Sequence, residues 1–314
     1  MVPSRGPADR LRRLLDSLAA QPTEHETLVV DNGSPDGAVS ALAGRYPFAR
    51  AIRLESNRGY SEPVNLAAAQ AEGESLVLIN DDCVCDPGFV EAISAPLDPG
   101  AGVVMTAGVL RDYADPRLID TAGMQLDLTL LVYDYLNGMP LSALDAAADP
   151  IGPSAAAAAF DAAAFAEVGG FDERLFAYWE DVDLVLRLLE AGGRCRLARD
   201  AIGTHEHSAT LGSGSQAKNR LMGFGRGYVL RKWKVVTPRR LPGVIAREAV
   251  LVGGQALIDR NLSGLPARLR GWRAASPGRS YPAAVAERGG GDGLVRTLRR
   301  RLRRRRPRGG AVRS

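Results

Sequence analysis

Two adjacent carboxylates, Asp81 and Asp82, follow the apolar run Ser75-Leu76-Val77-Leu78-Ile79 and Asn80. Side by side at a strand end, they repel and raise each other's pKa unless a positive charge arrives. A divalent cation would remove the repulsion. Oxygen ligands suit Mg2+ or Mn2+ more than zinc, and such ions commonly bring substrate phosphates with them. The plainer reading is helix capping, which Asp does well; for Asp81 and Asp82 alone both readings stay open. A second acidic cluster, Tyr178-Trp179-Glu180-Asp181-Val182-Asp183-Leu184, opens an amphipathic segment. Acids in a first helical turn favour the dipole, but that does not explain the aromatic pair before them. A carboxylate beside aromatics can have its pKa raised and serve as a general base. The third cluster is Thr204-His205-Glu206-His207-Ser208. On a strand, His205 and His207 would share a face, although solvated loop histidines are the plainer reading. Cys83 and Cys85 lack a second pair of thiols, so packing is expected of them rather than zinc.

These residues need elements that hold them. Leu11, Leu14, Leu15 and Leu18 recur at helical spacing. Thr27 to Val30 predicts a buried strand that stops at the turn cluster Asp31-Asn32-Gly33-Ser34-Pro35-Asp36-Gly37. A helix over 38–46, a strand over 51–54, a helix over 61–72 and a strand over 75–79 follow. Further strands are expected over 103–110 and 126–132, a loop over 137–150, and a helix from Trp179 through Ala191. Alternating strands and helices imply βαβ units, a mostly parallel sheet and helices on both faces. Open parallel sheets bind ligands at the carboxyl ends of their strands. Asp31, Asn57-Arg58-Gly59 and Asn80-Asp81-Asp82 all fall at such ends. Val2-Pro3-Ser4 reads as the end of a first strand, and the natural product is expected to start upstream.

The 314 residues carry 46% hydrophobic and 24% charged side chains, an ordinary globular mix. Three cysteines argue against a disulfide framework and fit a reducing cytoplasm. No run of 18 uncharged apolar residues occurs, so a conventional membrane-spanning helix is not expected, nor is a signal peptide. The net charge of +4 hides an asymmetry. Residues 1–217 hold 15 Arg and no Lys against 32 acids, a balance of −17. Residues 218–314 hold 25 Lys and Arg against 4 acids, a balance of +21. An acidic body with a basic end suggests two tasks.

Five segments in order carry a resemblance: Val29-Val30-Asp31-Asn32-Gly33-Ser34; Asn57-Arg58-Gly59-Tyr60 with Asn65; Leu78-Ile79-Asn80-Asp81-Asp82; Val168-Gly169-Gly170-Phe171-Asp172-Glu173; and Tyr178 through Leu184 with Arg187. Together, over roughly residues 1–235, they resemble family 2 glycosyltransferases, in particular the bacterial rhamnosyltransferase-like branch. The resemblance implies a GT-A fold, a Rossmann-like nucleotide-diphospho-sugar transferase architecture. It also implies a divalent metal, Mg2+ or Mn2+, and inversion at the anomeric carbon. By similarity, Pro3, Ser4 and Asp31 line the nucleoside pocket, and Asn57, Arg58 and Gly59 form its far wall. Asp81 touches ribose or metal, Asp82 and His205 ligate the metal, and Asp181 is the general base with Glu180 beside it. The strand near Ala155 to Phe160 borders the acceptor.

The expected partners are a nucleotide-diphosphate sugar donor and a glycan or lipid-linked acceptor. The expected domains are a catalytic unit over 1–217, a helical, basic, membrane-proximal extension over 218–288 and an Arg-rich tail over 289–314. Val244-Ile245, Val250-Leu251-Val252 and Leu257-Ile258, with Trp233 and Trp272, describe a surface-lying helix. With the arginines of 299–306 it predicts a peripheral location at the inner face of the plasma membrane, on an anionic surface. No specific nucleic acid is expected. A nucleotidyltransferase fits less well, because Ser4-Arg5-Gly6 is a poor match to its Gly-rich loop. A degenerate binding module is opposed by the presence of Asp82, Asp181 and His205.

Overall fold

A computed structural model describes residues 1–206, 214–282 and 285. Its strands are β1 (Val2–Ser4), β2 (Thr27–Asn32), β3 (Ala49–Leu54), β4 (Ser75–Ile79), β5 (Cys83–Cys85), β6 (Val103–Asp112), β7 (Ile119–Thr121), β8 (Met124–Leu126), β9 (Val132–Asp134), β10 (Ala157–Asp161) and β11 (Arg194–His205). Its helices are α1 (Ala8–Ala19), α2 (Ala38–Ala43), α3 (Ser61–Ala68), α4 (Phe89–Ser94), α5 (Ala162–Glu167), α6 (Glu180–Glu190), α7 (Gln216–Lys232), α8 (Leu241–Ile258) and α9 (Gly264–Ala274). The elements expected over 27–79 appear in their expected order, with α2 and α3 shorter than the spacing suggested.

The sheet is mixed rather than mostly parallel. β1, β2 and β3 pair in parallel. A second sheet runs β4-β10-β6-β11-β5, with β7 beside β6. In it β10 runs antiparallel to both neighbours, and β11 runs parallel to β6 but antiparallel to β5. Met1 bridges the two sheets: its amine donates to Val77 O, and Ile79 N donates to Met1 O. The direction of β10 follows from the path of the chain that leads into it, which composition does not encode.

β10 also shows why two cores form. Ala158 and Phe160 point into one cluster with Leu76, Leu78, Met105 and Ala107. Ala157 and Ala159 point into the other, with Ile79, Ile93 and the four α1 leucines. Successive strand side chains face opposite sides, so this strand must be apolar on both.

The strand expected over 126–132 is instead a hairpin of β8 and β9. Asp127 turns the chain: its carboxylate accepts from Thr129 N and Oγ1, Leu131 N and the Tyr133 hydroxyl. Leu130 adopts a φ of 59°. An Asp that bonds the backbone just ahead of it favours a turn over a continuous strand.

The packed body does not stop at the boundary expected at 217. Tyr228, Val229, Leu230, Trp233 and Val235, in and just after α7, are buried in the larger core. Trp233, expected at an interface, is wholly buried and donates from Nε1 to Asp183. Lys232 pairs with Asp183 and Asp172. α8 differs again. Its 18 residues have a mean hydropathy of 1.3, long and apolar enough by length and composition to cross a membrane, although no spanning helix was expected. His207, the glycine run at 289–293 and the arginines at 299–306 lie outside the described residues.

Candidate functional site

β4 ends in the loop Asn80-Asp81-Asp82, and the short β5 follows at once. β5 pairs with the end of β11 so that His205 stands opposite Cys83. This register brings His205 Nε2 to 3.3 Å from Asp82 Oδ1 across 123 residues of chain. On its other side, His205 Nδ1 lies 2.8 Å from Asp120 Oδ2. Burial lowers the pKa of His205, but its bonds to Asp120 and Asp82 outweigh that and raise it to about 9. Asp82 Oδ1 is buried and receives no hydrogen bond of good geometry. Ligand atoms of Asp82, Cys83 and His205 lie within 4.8 Å of one another. The Cys83 thiol points to Ala156 O, and burial pushes its pKa well up, so it stays protonated. The usable donors are therefore a carboxylate and an imidazole, a set that could hold a divalent cation.

Asp81 faces β1. Ser4 Oγ donates to its Oδ2 at 2.5 Å and in turn accepts from Gly6 N. Burial, aided by the neighbouring Asp82, raises Asp81 to about 6 against the opposing bond from Ser4. Ser4 and Asp81, both expected to contact the donor, are thus hydrogen-bonded to each other, with Pro3 preceding Ser4 in β1. Asp31 behaves otherwise. It is fully buried and turned into its own loop, accepting from Ser34 N, Ser40 N and Ser40 Oγ. Burial alone would raise its pKa; those bonds bring it below the ordinary value. Asp31, expected in the nucleoside pocket, thus braces the loop after β2 and the start of α2.

Asn32 does the reaching. Its Nδ2 donates to Asn57 Oδ1 and Gly59 O, and its Oδ1 accepts from Arg58 N. The 57–59 wall is thereby tied to the end of β2. Gly59 has a φ of 87°, and an added Cβ would sit 2.1 Å from Phe176 O. Tyr60 N donates to that same oxygen. The 57–60 segment and the loop before α6 are thus in backbone contact.

At the start of α6, Tyr178 and Trp179 both have positive φ, 68° and 78°. Two non-glycine residues in that region mark a backbone held by its surroundings. Trp179 supplies the hold: its Nε1 donates to Met222 O on α7, and Arg226 lies over its ring. The turn separates the next two acids. Glu180 is 6% exposed, and its Oε2 has no hydrogen-bond partner among the described groups. Burial, reinforced by Asp181, holds its pKa well above the usual carboxylate range. Asp181 is partly exposed and accepts from Val182 N and Ala155 N. Burial raises its pKa as well. Asp183 is wholly buried among Arg187, Lys232 and Trp233, a structural role.

The two halves of the site meet at Ala155 and Ala156. Ala155 N donates to Asp181, and Ala155 O accepts from the Tyr60 hydroxyl, which also donates to Asn80 Oδ1. Ala156 O accepts from Asn80 N and Cys83 Sγ. Sequence reasoning missed Asp120, Asn32 and the positioning role of Tyr60. For Asp120 a signal existed, since an acid inside Leu118-Ile119-Asp120-Thr121-Ala122 is costly unless paired.

The family described as Glycosyl transferase family 2 matches residues 1–125. An N-acetylglucosaminyl-diphospho-decaprenol L-rhamnosyltransferase of Mycobacterium tuberculosis is 32% identical over 211 residues, covering 59% of this chain and 68% of that protein. A pre-mycofactocin glycosyltransferase of the same organism is 27% identical, over 67% of this chain and 43% of its own. Among solved structures, a mannosyltransferase from Pyrobaculum calidifontis, in complex with GDP-Man and Mn2+, aligns with a TM-score of 0.53 and 20% identity. That alignment covers 98% of this chain and 80% of that one. GalNAc-T7 with UDP, GalNAc and Mn2+ aligns with a TM-score of 0.61 and 15% identity, over 88% and 54%. The alignments with solved glycosyltransferases give this mixed α/β fold the GT-A architecture. The chain belongs to glycosyl transferase family 2, is rhamnosyltransferase-like within it, and is a glycosyltransferase.

Proposed function

We propose that this protein transfers a sugar, with inversion, from a nucleotide-diphosphate donor to a lipid-linked glycan of the cell envelope, using Mg2+ or Mn2+. The single observation that carries the reading is that Ala155 N bonds Asp181 while the adjacent Ala156 O bonds Asn80 N and Cys83 Sγ, the residues on either side of Asp81 and Asp82, with His205 against Asp82. The activity in the mycobacterial relative's name, a rhamnosyl transfer to an N-acetylglucosaminyl-diphospho-decaprenol, supports the choice of acceptor class. The Mn2+ in the aligned structures supports the choice of cofactor.

Asp82 and His205 would hold the cation, with Asp120 fixing the imidazole through Nδ1. A divalent cation held there would supply positive charge against the diphosphate as the donor breaks. Ser4 and Asp81 would flank the nucleoside, against the wall made by Asn57, Arg58 and Gly59. Asp181 takes the proton of the attacking acceptor hydroxyl, and its raised pKa matches that task. Glu180, buried and held neutral, keeps a second negative charge away from that carboxylate. One base suffices for a single displacement with inversion. Nucleotide sugars are made in the cytoplasm, so the reading puts the active site on that side of the plasma membrane.

The test is hydrolysis and transfer with a panel of nucleotide sugars plus Mn2+. One donor is expected to turn over well above the rest. Asp82→Ala is expected to abolish transfer and to weaken Mn2+ binding measured directly by calorimetry. Full activity of Asp82→Ala in chelator-treated buffer would remove the metal from the reading.

A further inference from the structure

α8 carries its polarity the wrong way round for a helix on a water-facing surface. Its two charged side chains point at the body. Arg247 Nε lies 3.5 Å from Asp127 Oδ2, and Glu248 pairs with Arg226 and Arg268 at 2.7 and 2.9 Å. Gln255 accepts from Arg268 on the same side. The opposite face holds Leu241, Ile245, Ala249, Val250, Ala256 and Leu257, all exposed, and Leu257 is 83% exposed. At about 1.5 Å per residue this apolar strip is about 27 Å long. Leu262, Leu265 and Leu269, in and just before the neighbouring α9, are exposed as well.

Basic side chains frame the strip. Arg239 precedes α8, Arg260 follows it, and Arg270 and Arg273 stand on α9, all exposed. The described part of this region is strongly basic, in keeping with the +21 balance of residues 218–314.

We propose that the outward face of α8, with the exposed leucines of α9, docks flat on an anionic lipid bilayer. Apolar side chains enter the acyl boundary while the arginines meet phosphate headgroups. This rests on, and deepens, the lipid-linked acceptor reading. Charge selects the occupant. A second copy of the same patch would set arginine against arginine, whereas an anionic leaflet complements it. Crossing the bilayer would drag Arg247 and Glu248 out of their ion pairs into hydrocarbon. The position also makes chemical sense. Glu248 holds Arg226, and Arg226 lies over Trp179, the residue before Glu180 and Asp181. A membrane-bound acceptor would therefore be presented close to the base. The docking helix is the one expected from sequence, but Trp233 and Val244, expected to take part, are buried in the body.

The experiment is flotation of the full 314-residue chain with phosphatidylglycerol-containing or pure phosphatidylcholine vesicles, without donor or metal. Binding is expected to the anionic vesicles and to fall with added salt. The double variant Ile245→Glu/Leu257→Glu is expected to bind at least about tenfold more weakly, with unchanged circular dichroism and unchanged hydrolysis of soluble donor. Equal binding by parent and variant would assign attachment elsewhere in the chain and overturn the proposal. So would no binding by the parent at low salt. A concentration-dependent dimer in sedimentation velocity, lost in the variant, would make a second copy the occupant. Resistance of vesicle-bound protein to alkaline carbonate extraction would make α8 a span. Failure of the glycosyltransfer reading would register separately, as absent donor turnover with vesicle binding intact.

Discussion

Glu180 and Asp181 are neighbours with the same chemistry, and the fold gives them different environments. Glu180 is shut in, whereas Asp181 is partly open and anchored by two backbone amides. A base must be ionised to accept a proton. Because burial raises the pKa of Asp181, the active, deprotonated form is lost as pH falls through a value above that of an ordinary aspartate. The acid limb of kcat is therefore expected to lie above the ordinary aspartate value. Asp181→Asn is expected to lose at least about 10²-fold in kcat while donor affinity is kept, and its residual rate should lack the acid limb. Steady-state kinetics across pH check both. If Glu180→Gln is inactive and Asp181→Asn is not, the base is the other carboxylate. The turn clusters and acidic pairs were visible in the sequence at this scale. The partners of Asp31 were not, because a carboxylate that braces its own loop and one that faces a ligand have the same local sequence.

Between elements, the donor wall depends on a glycine. Gly59 combines a left-handed backbone with a carbonyl in the place a side chain would take. Gly59→Ala is expected to cost more than about 1 kcal/mol, lowering Tm by a few degrees. It should also weaken donor binding, because Asn57 and Arg58 move with the loop. Calorimetry and donor titration check this, and an unchanged Tm and Kd would mean that the loop before α6 yields freely. β4, α1 and α6 could be read from periodicity because each buries a face set by its own repeat. β10 could not: a run of alanines is compatible with helix or strand, and its antiparallel insertion depends on β4 and β6. β8 and β9 were merged in the reading because Asp127 interrupts an otherwise apolar run.

For the molecule as a whole, the acidic and basic parts are interlocked rather than joined end to end. Asp183 of α6 pairs with Arg187 of its own helix and Lys232 of α7, and accepts a hydrogen bond from the indole of Trp233. A chain truncated after residue 217 would lose two of those three partners and expose part of the larger core. Leaving a buried charge poorly compensated costs about 3–5 kcal/mol, a large share of ordinary domain stability. The truncated chain is expected to show no cooperative thermal unfolding by circular dichroism. A sharp transition near that of the full chain would establish 1–217 as self-sufficient.

The sequence by itself carried the order of the early elements, through periodicity and turn chemistry, which are local. Its motifs, matched in order, carried the resemblance that implied the GT-A class, and with it the acidic pair, His205 and Asp181 as candidates for the site. Tertiary structure alone decided that His205 reaches Asp82 across 123 residues, that Asp120 backs it, and that α7 belongs to the body. It also decided which face of α8 looks outward. Hydropathy marks that helix as apolar all round apart from two charges, and only Asp127, Arg226 and Arg268 say to which side those charges turn. Pairing across the chain depends on register and packing, and neither is written in any one segment.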